Sequence, residues 1–454
     1  MNVSFFGELL TAISDRGRQL LDLSGIVSSH GETIESLSSA LLSGRGEASG
    51  VALARQILAR YEALDDDGRR QYFRFLAESF TPDAERVASA ARAYVQSPGP
   101  DALRRLTQVV EPPRLEFLRR LNLAPGATSS IVNMRTDLLR FIKGDDALAA
   151  VDRDFVHLLV SWFNRGFLVL QRIDWSTPAN ILEKIIRYEA VHEIKGWDDL
   201  RRRLDPADRR CFAFFHPSLV DEPLIFVQVA LTRDVPGSIQ QVLEEEKHDA
   251  AQIREPNTAV FYSISNCQDG LRGISFGNFL IKQVVEDLTR AIPSLKTFVT
   301  LSPVPGFSDW LERAKASQIL TYLDATELAI LDNLGDPAWT EDEELVAAME
   351  PVLMASAAHY FLAAKNIHGR PVDPVARFHL GNGARLERIN WLGNISPKGM
   401  REAHGLMVNY RYDLRDIERN HEMYAHAGTV AASKPVRSYL RLPEKSQALV
   451  PVGE

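Results

Sequence analysis

The side chains with the widest chemical reach gather near the C-terminal end of the chain, between Val375 and Tyr412. There FHLGNGA sets His379 close to Asn382, with Gly381 and Gly383 flanking the carboxamide, and a closing Tyr410-Arg411-Tyr412 follows RINW. An imidazole among neutral partners can hold or deliver a proton near neutral pH. It needs a second group to act on a substrate. Ser302, in LSPVPGF, offers a hydroxyl at the end of the strand-like run LKTFVTL. A third feature suits an anion: NCQDGLRGISFGNF spaces Gly270, Gly273 and Gly277 through a turn that feeds a helix, so free N–H groups and the positive end of the helix dipole converge. Arg272 adds a charge-assisted donor to that turn. Its spacing is neither a Walker loop nor the dinucleotide fingerprint, and Gly-rich turns before helices also serve as packing devices.

Elements of both periods are needed to position these groups. Leu386, Arg388 and Asn390 alternate with Arg385, Glu387, Ile389 and Trp391 as in a strand, which puts His379 at a strand-to-turn junction. Further strand-like runs cover 211–215, 224–232 and 258–265, the first two punctuated by Asp221-Glu222-Pro223 as an antiparallel pair. The charged connection with Glu244, Glu245, Glu246 and Lys247 reads as a surface helix or loop. Strand, Gly-rich turn, helix and strand together form the core of an acyl-coenzyme A binding unit. Helical period returns from about 307 to 370 as an insertion between the serine and the histidine. Past Tyr412, Asp413 opens a last helix, and the tail beyond about 432 reads as extended or poorly ordered.

Residues 1–174 are helical throughout, with Asp65 to Asp67 before RRQYFRFLAESF as one start signal and no alternating strand pattern, so a helical bundle is expected. Pro178 then opens ANILEKIIRYEAVHEI as a single amphipathic helix. The expected division is 1–174, a docking or oligomerising bundle, and 175–454, an α+β domain. A net charge of −8 over 454 residues argues against a general nucleic-acid binder. Charges interrupt the N-terminal stretch and no run of eighteen apolar residues occurs, which argues against a signal or a membrane span. The two cysteines, Cys211 and Cys267, form no framework and fit a reducing cytoplasm. No metal-type spacing is present, since His421 and His426 stand five apart. The basic run Arg201, Arg202, Arg203, Arg209 and Arg210 is either a phosphate contact or a solvated face.

Assembled in order, these pieces resemble the malonyl-CoA decarboxylase family, in its bacterial type. The resemblance rests on HPSLVDEPLIFVQVALT at 216–232, FYSIS at 261–265, GNFLIK at 277–282, LSPVPGF around Ser302, FHLGNGA around His379, RINW at 388–391 and GLMVNYRY at 405–412. It implies an all-helical N-terminal domain used in homo-oligomerisation, as a dimer or tetramer, and a GNAT acetyltransferase-like mixed-sheet domain. It implies conversion of malonyl-CoA to acetyl-CoA and CO2 without metal or separate cofactor, with Ser302 and His379 as the catalytic pair. The coenzyme turn falls on Arg272, Gly273, Ile274, Ser275, Phe276, Gly277 and Asn278, and Ser263, Tyr412 and Asn382 become pocket residues. Ser275 replaces a glutamate of animal relatives, His404 replaces a small residue or cysteine, and the end LVPVGE carries no peroxisomal tripeptide. The residues by themselves leave two rivals open: an acyl-CoA-dependent acyltransferase and an inactive acyl-CoA sensor.

Overall fold

The computed structural model describes residues 32–43, 47–243, 256–274 and 280–441. The amphipathic N-terminal stretch, the run Glu244 to Lys247, the turn residues Ser275 to Asn278 and the last residues of the tail lie outside them. The chain divides into two compact units, Met1–Val169 with Phe215–Leu224 and Gln268–Phe276, and Leu170–Phe214 with Ile225–Cys267 and Gly277–Glu454.

In the first unit the start signals do what their chemistry requires. Asp65 caps Asp66–Ser79 by accepting from the Gly68 N–H, and Asp145 caps Asp146–Trp162 through two N–H groups. The helices close around Tyr72, Phe73, Phe117, Met134, Leu138 and Phe155, all buried. Among the described residues, buried arginines of this interior are paired: Arg114 meets Asp154 at 2.6 Å, and Arg135 meets Asp152 at 2.7 Å. Arg135 also donates to the carbonyls of Gly270 and Arg272. Gly270 presses on Ala127–Phe141 so closely that a Cβ would stand 1.9 Å from the Val132 carbonyl oxygen, so this glycine is a packing device.

The second unit is built on a mixed sheet, apart from Val169, Phe215, His216 and residues 219–224, which belong to the first. Its strands are β1 (Val169–Ile173), β2 (Arg209–His216), β3 (Leu219–Thr232), β4 (Thr258–Asn266), β5 (Thr297–Thr300), β6 (Ser302–Pro303), β7 (Arg385–Asn390) and β8 (Met407–Arg411), in the order β1-β2-β3-β4-β5-β8-β6, with β7 also on β8. β4 runs antiparallel to β3 but parallel to β5, and Leu280–Ala291 makes the crossover between them. β5, β6 and β7 all run antiparallel to β8. One parallel pair, β4 with β5, between antiparallel pairings to β3 and β8 is the acetyltransferase-like mixed sheet expected above. Phe307–Ala316, Ala325–Ile330 and Glu343–Leu362 supply the helical insertion. Glu343–Leu362 is long and apolar enough to cross a membrane, yet it is packed in the core from Met349 to Phe361 on most positions.

Several expectations are corrected. β1 lies within the stretch read as purely helical; its residues are mostly exposed, so no hydrophobic alternation marks it. The β2–β3 turn falls at Pro217-Ser218, where the Ser218 N–H donates to His216 Nδ1, and Asp221 to Pro223 sit inside β3 with Asp221 at φ 56°. The helix after Pro178 ends at Tyr188. The last long helix is Ile417–Ala427, and the tail still forms Lys434–Ser438 behind a Ser433 cap.

The carboxamides of the C-terminal motifs act as a brace. Fully buried Asn409 donates to the Thr300 carbonyl at 2.7 Å, while its oxygen accepts from Arg388 Nε at 3.1 Å and Asn390 Nδ2 at 2.9 Å. Arg388 also reaches the carbonyls of Val235 and Pro236. Replacing Asn409 by Leu strands these buried donors, so the unfolding free energy should fall by about 2–4 kcal/mol. Urea titration reads this as a lowered midpoint at constant slope, and an unmoved midpoint would show that the brace is not needed.

Candidate active site

Ser302 sits in β6 and pairs with Val408 of β8, so sheet hydrogen bonds hold its backbone. His379 lies on a helix, Pro374–Gly381, and not at a strand-to-turn junction. Asp373 caps that helix by accepting from the Ala376 N–H at 2.6 Å, and Pro374 occupies its first turn, a start signal that is present in the sequence. The helix ends on Asn382, whose Nδ2 donates to the Phe378 carbonyl. Gly383 then takes φ 80° against the Ile417 carbonyl, where a Cβ would stand 2.1 Å away, and so turns the chain into β7. β7 carries a bulge between Leu386 and Arg388, so the strict alternation read from the sequence breaks at Glu387, and Leu386 and Ile389 are both buried.

Helix and sheet bring the two side chains together. His379 Nε2 lies 3.2 Å from Ser302 Oγ, and its Nδ1 lies 2.8 Å from the Tyr412 hydroxyl. Ser302 in turn donates to Thr300 Oγ1 at 2.8 Å. Because the serine proton points to Thr300, the serine oxygen is left to accept from Nε2–H, and Nδ1 is left to accept from the Tyr412 O–H. Burial holds both neighbours neutral: it lowers the imidazole to about 3 and raises Tyr412 well above the usual phenol range. Tyr410 stacks on the imidazole with ring centres 4.6 Å apart. The ring is therefore a neutral donor toward Ser302.

Ser302, His379, Pro303, Phe378, Val191 and Tyr262 help line one cavity of about 260 Å³, room for a reacting acyl end. Tyr262 reaches it because β4 bulges there: Ser263 pairs with Gln228 and Phe261 with Val229, which leaves Tyr262 as the extra residue. Ser263 does not line this cavity. Its hydroxyl donates to Glu189, whose carboxylate also takes the N–H groups of Val191 and His192 and the Gln228 side chain. Tyr412 and Asn382 likewise act from behind the wall. Arg272, Gly273 and Ile274 fall in the first unit; Arg272 is exposed and paired with Asp269, and Gly273 takes φ 81°. Thr300 and Glu189 escaped notice in the sequence. Thr300 stands two residues before Ser302 on the same strand face, a usable signal, whereas nothing local marks Glu189.

Comparisons with known proteins agree with one another. The malonyl-CoA decarboxylase C-terminal domain model matches residues 166–450, and the N-terminal domain model matches 80–163. The chain belongs to the malonyl-CoA decarboxylase family. It is 36% identical over 421 residues to the mitochondrial malonyl-CoA decarboxylase of Anser anser anser, covering 84% of this chain and 81% of that protein. Crystal structures of malonyl-CoA decarboxylases from Rhodopseudomonas palustris and Agrobacterium vitis each share 56% identity at a TM-score of 0.85, covering 89% of this chain and 98% and 99% of theirs. The family makes this chain a carboxy-lyase with malonyl-CoA as its substrate.

Two measurements follow from the geometry. Tyr412→Phe removes the hydroxyl on Nδ1 and frees the imidazole tautomer, so kcat should fall about tenfold, the worth of one hydrogen bond, with KM little changed; an unaltered kcat would mean that the tautomer is set elsewhere. His404, at φ 48° and lowered to about 4 by burial, bears on acid stability. Below its ordinary range an unfolded imidazole binds a proton that the folded one refuses until about pH 4, so stability drains on acidification, at up to about 1.4 kcal/mol per pH unit. His404→Asn suits the left-handed backbone and removes that proton site. Its melting temperature should drop less than that of the parent between about pH 7 and about pH 5, and an equal drop would show that His404 is protonated in the fold.

Proposed function

We propose that Ser302 and His379 carry out the decarboxylation of malonyl-CoA, and that they do so without a metal or a separate electron-sink cofactor. The observation that carries this reading is the 3.2 Å approach of Ser302 Oγ and His379 Nε2 in the wall of one buried cavity. When the bond between the α-carbon and the carboxylate breaks, CO2 leaves and the electron pair stays behind, shared by resonance with the thioester oxygen. The thioester is itself the sink, so no further one is required by the chemistry.

Donors fixed toward a developing oxyanion are worth about 3–4 kcal/mol each, and a placed general acid adds roughly 100- to 10,000-fold. The His379 Nε2–H serves as such a donor, and Ser302 Oγ, whose own proton is committed to Thr300, orients it. His379 then delivers the Nε2 proton to the α-carbon as Nδ1 takes the Tyr412 O–H proton, so that the ring stays neutral, and solvent returns a proton to Tyr412 after acetyl-CoA leaves. The direction of the hydrogen bonds supports this reading over an acyltransferase, in which Nε2 would have to accept the proton of a nucleophile. The turn from Arg272 to Asn278 is the part of the proposal that holds the pyrophosphate, supported by its glycine spacing in the sequence. A homo-oligomer through the helical unit is part of the proposal, supported by Ala84–Gln96 and Pro100–Val110, which bury none of their residues and expose Val95, Leu103 and Val110. A cytoplasmic setting completes it.

The test is acetyl-CoA release from malonyl-CoA by the purified protein with a chelator present, beside Ser302→Ala and His379→Asn. Release that survives the chelator and drops at least about a hundredfold in His379→Asn is the expected result. Full turnover in both variants would remove the pair from the mechanism, and loss of wild-type turnover with the chelator would bring a metal back into it.

A further inference from the structure

Thr300 occupies an unusual place in the sheet. It is fully buried at the end of β5, and its hydroxyl takes the position of a ladder acceptor: the Tyr410 N–H of β8 donates to Oγ1 at 3.0 Å. The same oxygen accepts the Ser302 proton at 2.8 Å. With the Tyr410 amide on one side, Thr300 Oγ1 is pinned, and the serine hydroxyl is turned from His379 Nε2 toward it. A serine that accepts from Nε2–H is not activated for attack, because activation requires the opposite direction of that bond.

We propose that Thr300 is a positioning residue that decides what Ser302 does to a bound thioester, keeping the serine a hydrogen-bonding group and preventing it from acting as a nucleophile. This rests on the reading of Ser302 and His379 given above. Were the acceptor on Thr300 lost, the serine O–H would turn to Nε2, and the imidazole would shift its own proton to Nδ1, where the Tyr412 oxygen can accept it. Ser302 Oγ could then attack the thioester carbonyl. A C–O bond forms, the C–S bond breaks, and the serine proton passes through Nε2 to the departing coenzyme A sulfur. Water then cleaves the acyl-serine ester. The products of that route are malonate and free coenzyme A, in place of acetyl-CoA and CO2.

The two routes differ in products, so the experiment measures both. Wild type, Thr300→Ser and Thr300→Val are each given malonyl-CoA, and acetyl-CoA and free thiol are followed together. In Thr300→Val the acetyl-CoA rate should fall about tenfold at nearly constant KM, and the ratio of free thiol to acetyl-CoA should rise about tenfold or more. Thr300→Ser, which keeps the acceptor, should restore both. Thr300→Cys, of similar size but with a poor acceptor, gives the same comparison if the valine variant does not fold. A merely structural role would lower both products together and leave their ratio unchanged, and that outcome overturns the proposal, as does wild-type behaviour of Thr300→Val. Failure of wild type to make acetyl-CoA would instead overturn the decarboxylase mechanism itself, so the two failures are distinct.

Discussion

The second unit depends on a line of neutral hydrogen bonds that runs from Tyr412 through His379 and Ser302 to Thr300 and ends on the Tyr410 amide. Most members stand on strands that pair with one another through β8. Tyr410 belongs to β8, Thr300 to β5, Ser302 to β6, and His379 to a helix docked beside them, while Tyr412 directly follows β8 and its N–H donates to the Phe298 carbonyl. Because β8 pairs with β5, β6 and β7, a shift of this one strand would disturb every bond in the line. Asn409, the next residue along β8, is braced to both sides by carboxamide and guanidinium groups.

Neutrality is the second constraint. A buried imidazolium would have to be desolvated, and the imidazole refuses the proton instead, down to about pH 3. Such a ring donates at Nε2 only if its other nitrogen is offered a proton, and the Tyr412 hydroxyl makes that offer. The chemistry ascribed to the pair thus follows from burial first and from residue identity second.

Much of this was legible from residues alone, and the limits have physical causes. Ser302 and His379 stand out by type and motif, and the helical first part by its caps and its period. The helix bearing His379 was misread because its eight residues run directly into a strand whose alternation dominates the window, although Asp373-Pro374 marks its start. The bulges at Glu387 and Tyr262 arise from pairing with a distant strand, which no local pattern records. Arg388, Asn390 and Asn409 add polar groups to the C-terminal motifs, and buried polar residues in a core are costly unless paired. Their pairing was invisible until the strands were set side by side.

The same logic accounts for the charged residues around the cavity wall. Residues 190–193 belong to no helix or strand, so their backbone groups need partners from side chains. Glu189 takes the N–H groups of Val191 and His192, Lys398 donates to the Ala190 carbonyl, and Arg203 donates to the carbonyls of His192 and Glu193. Arg203, one of the basic run, is therefore committed to this strap, as Arg209 is to Asp208 and the Val242 carbonyl. Formal charges hold the wall from outside while the line of groups facing the cavity stays neutral. A wall held this way keeps Val191 in place beside Ser302 and His379 without, among the described residues, bringing a counter-charge next to the imidazole, which would otherwise favour its protonated form and turn Nδ1 from an acceptor of the Tyr412 O–H into a donor.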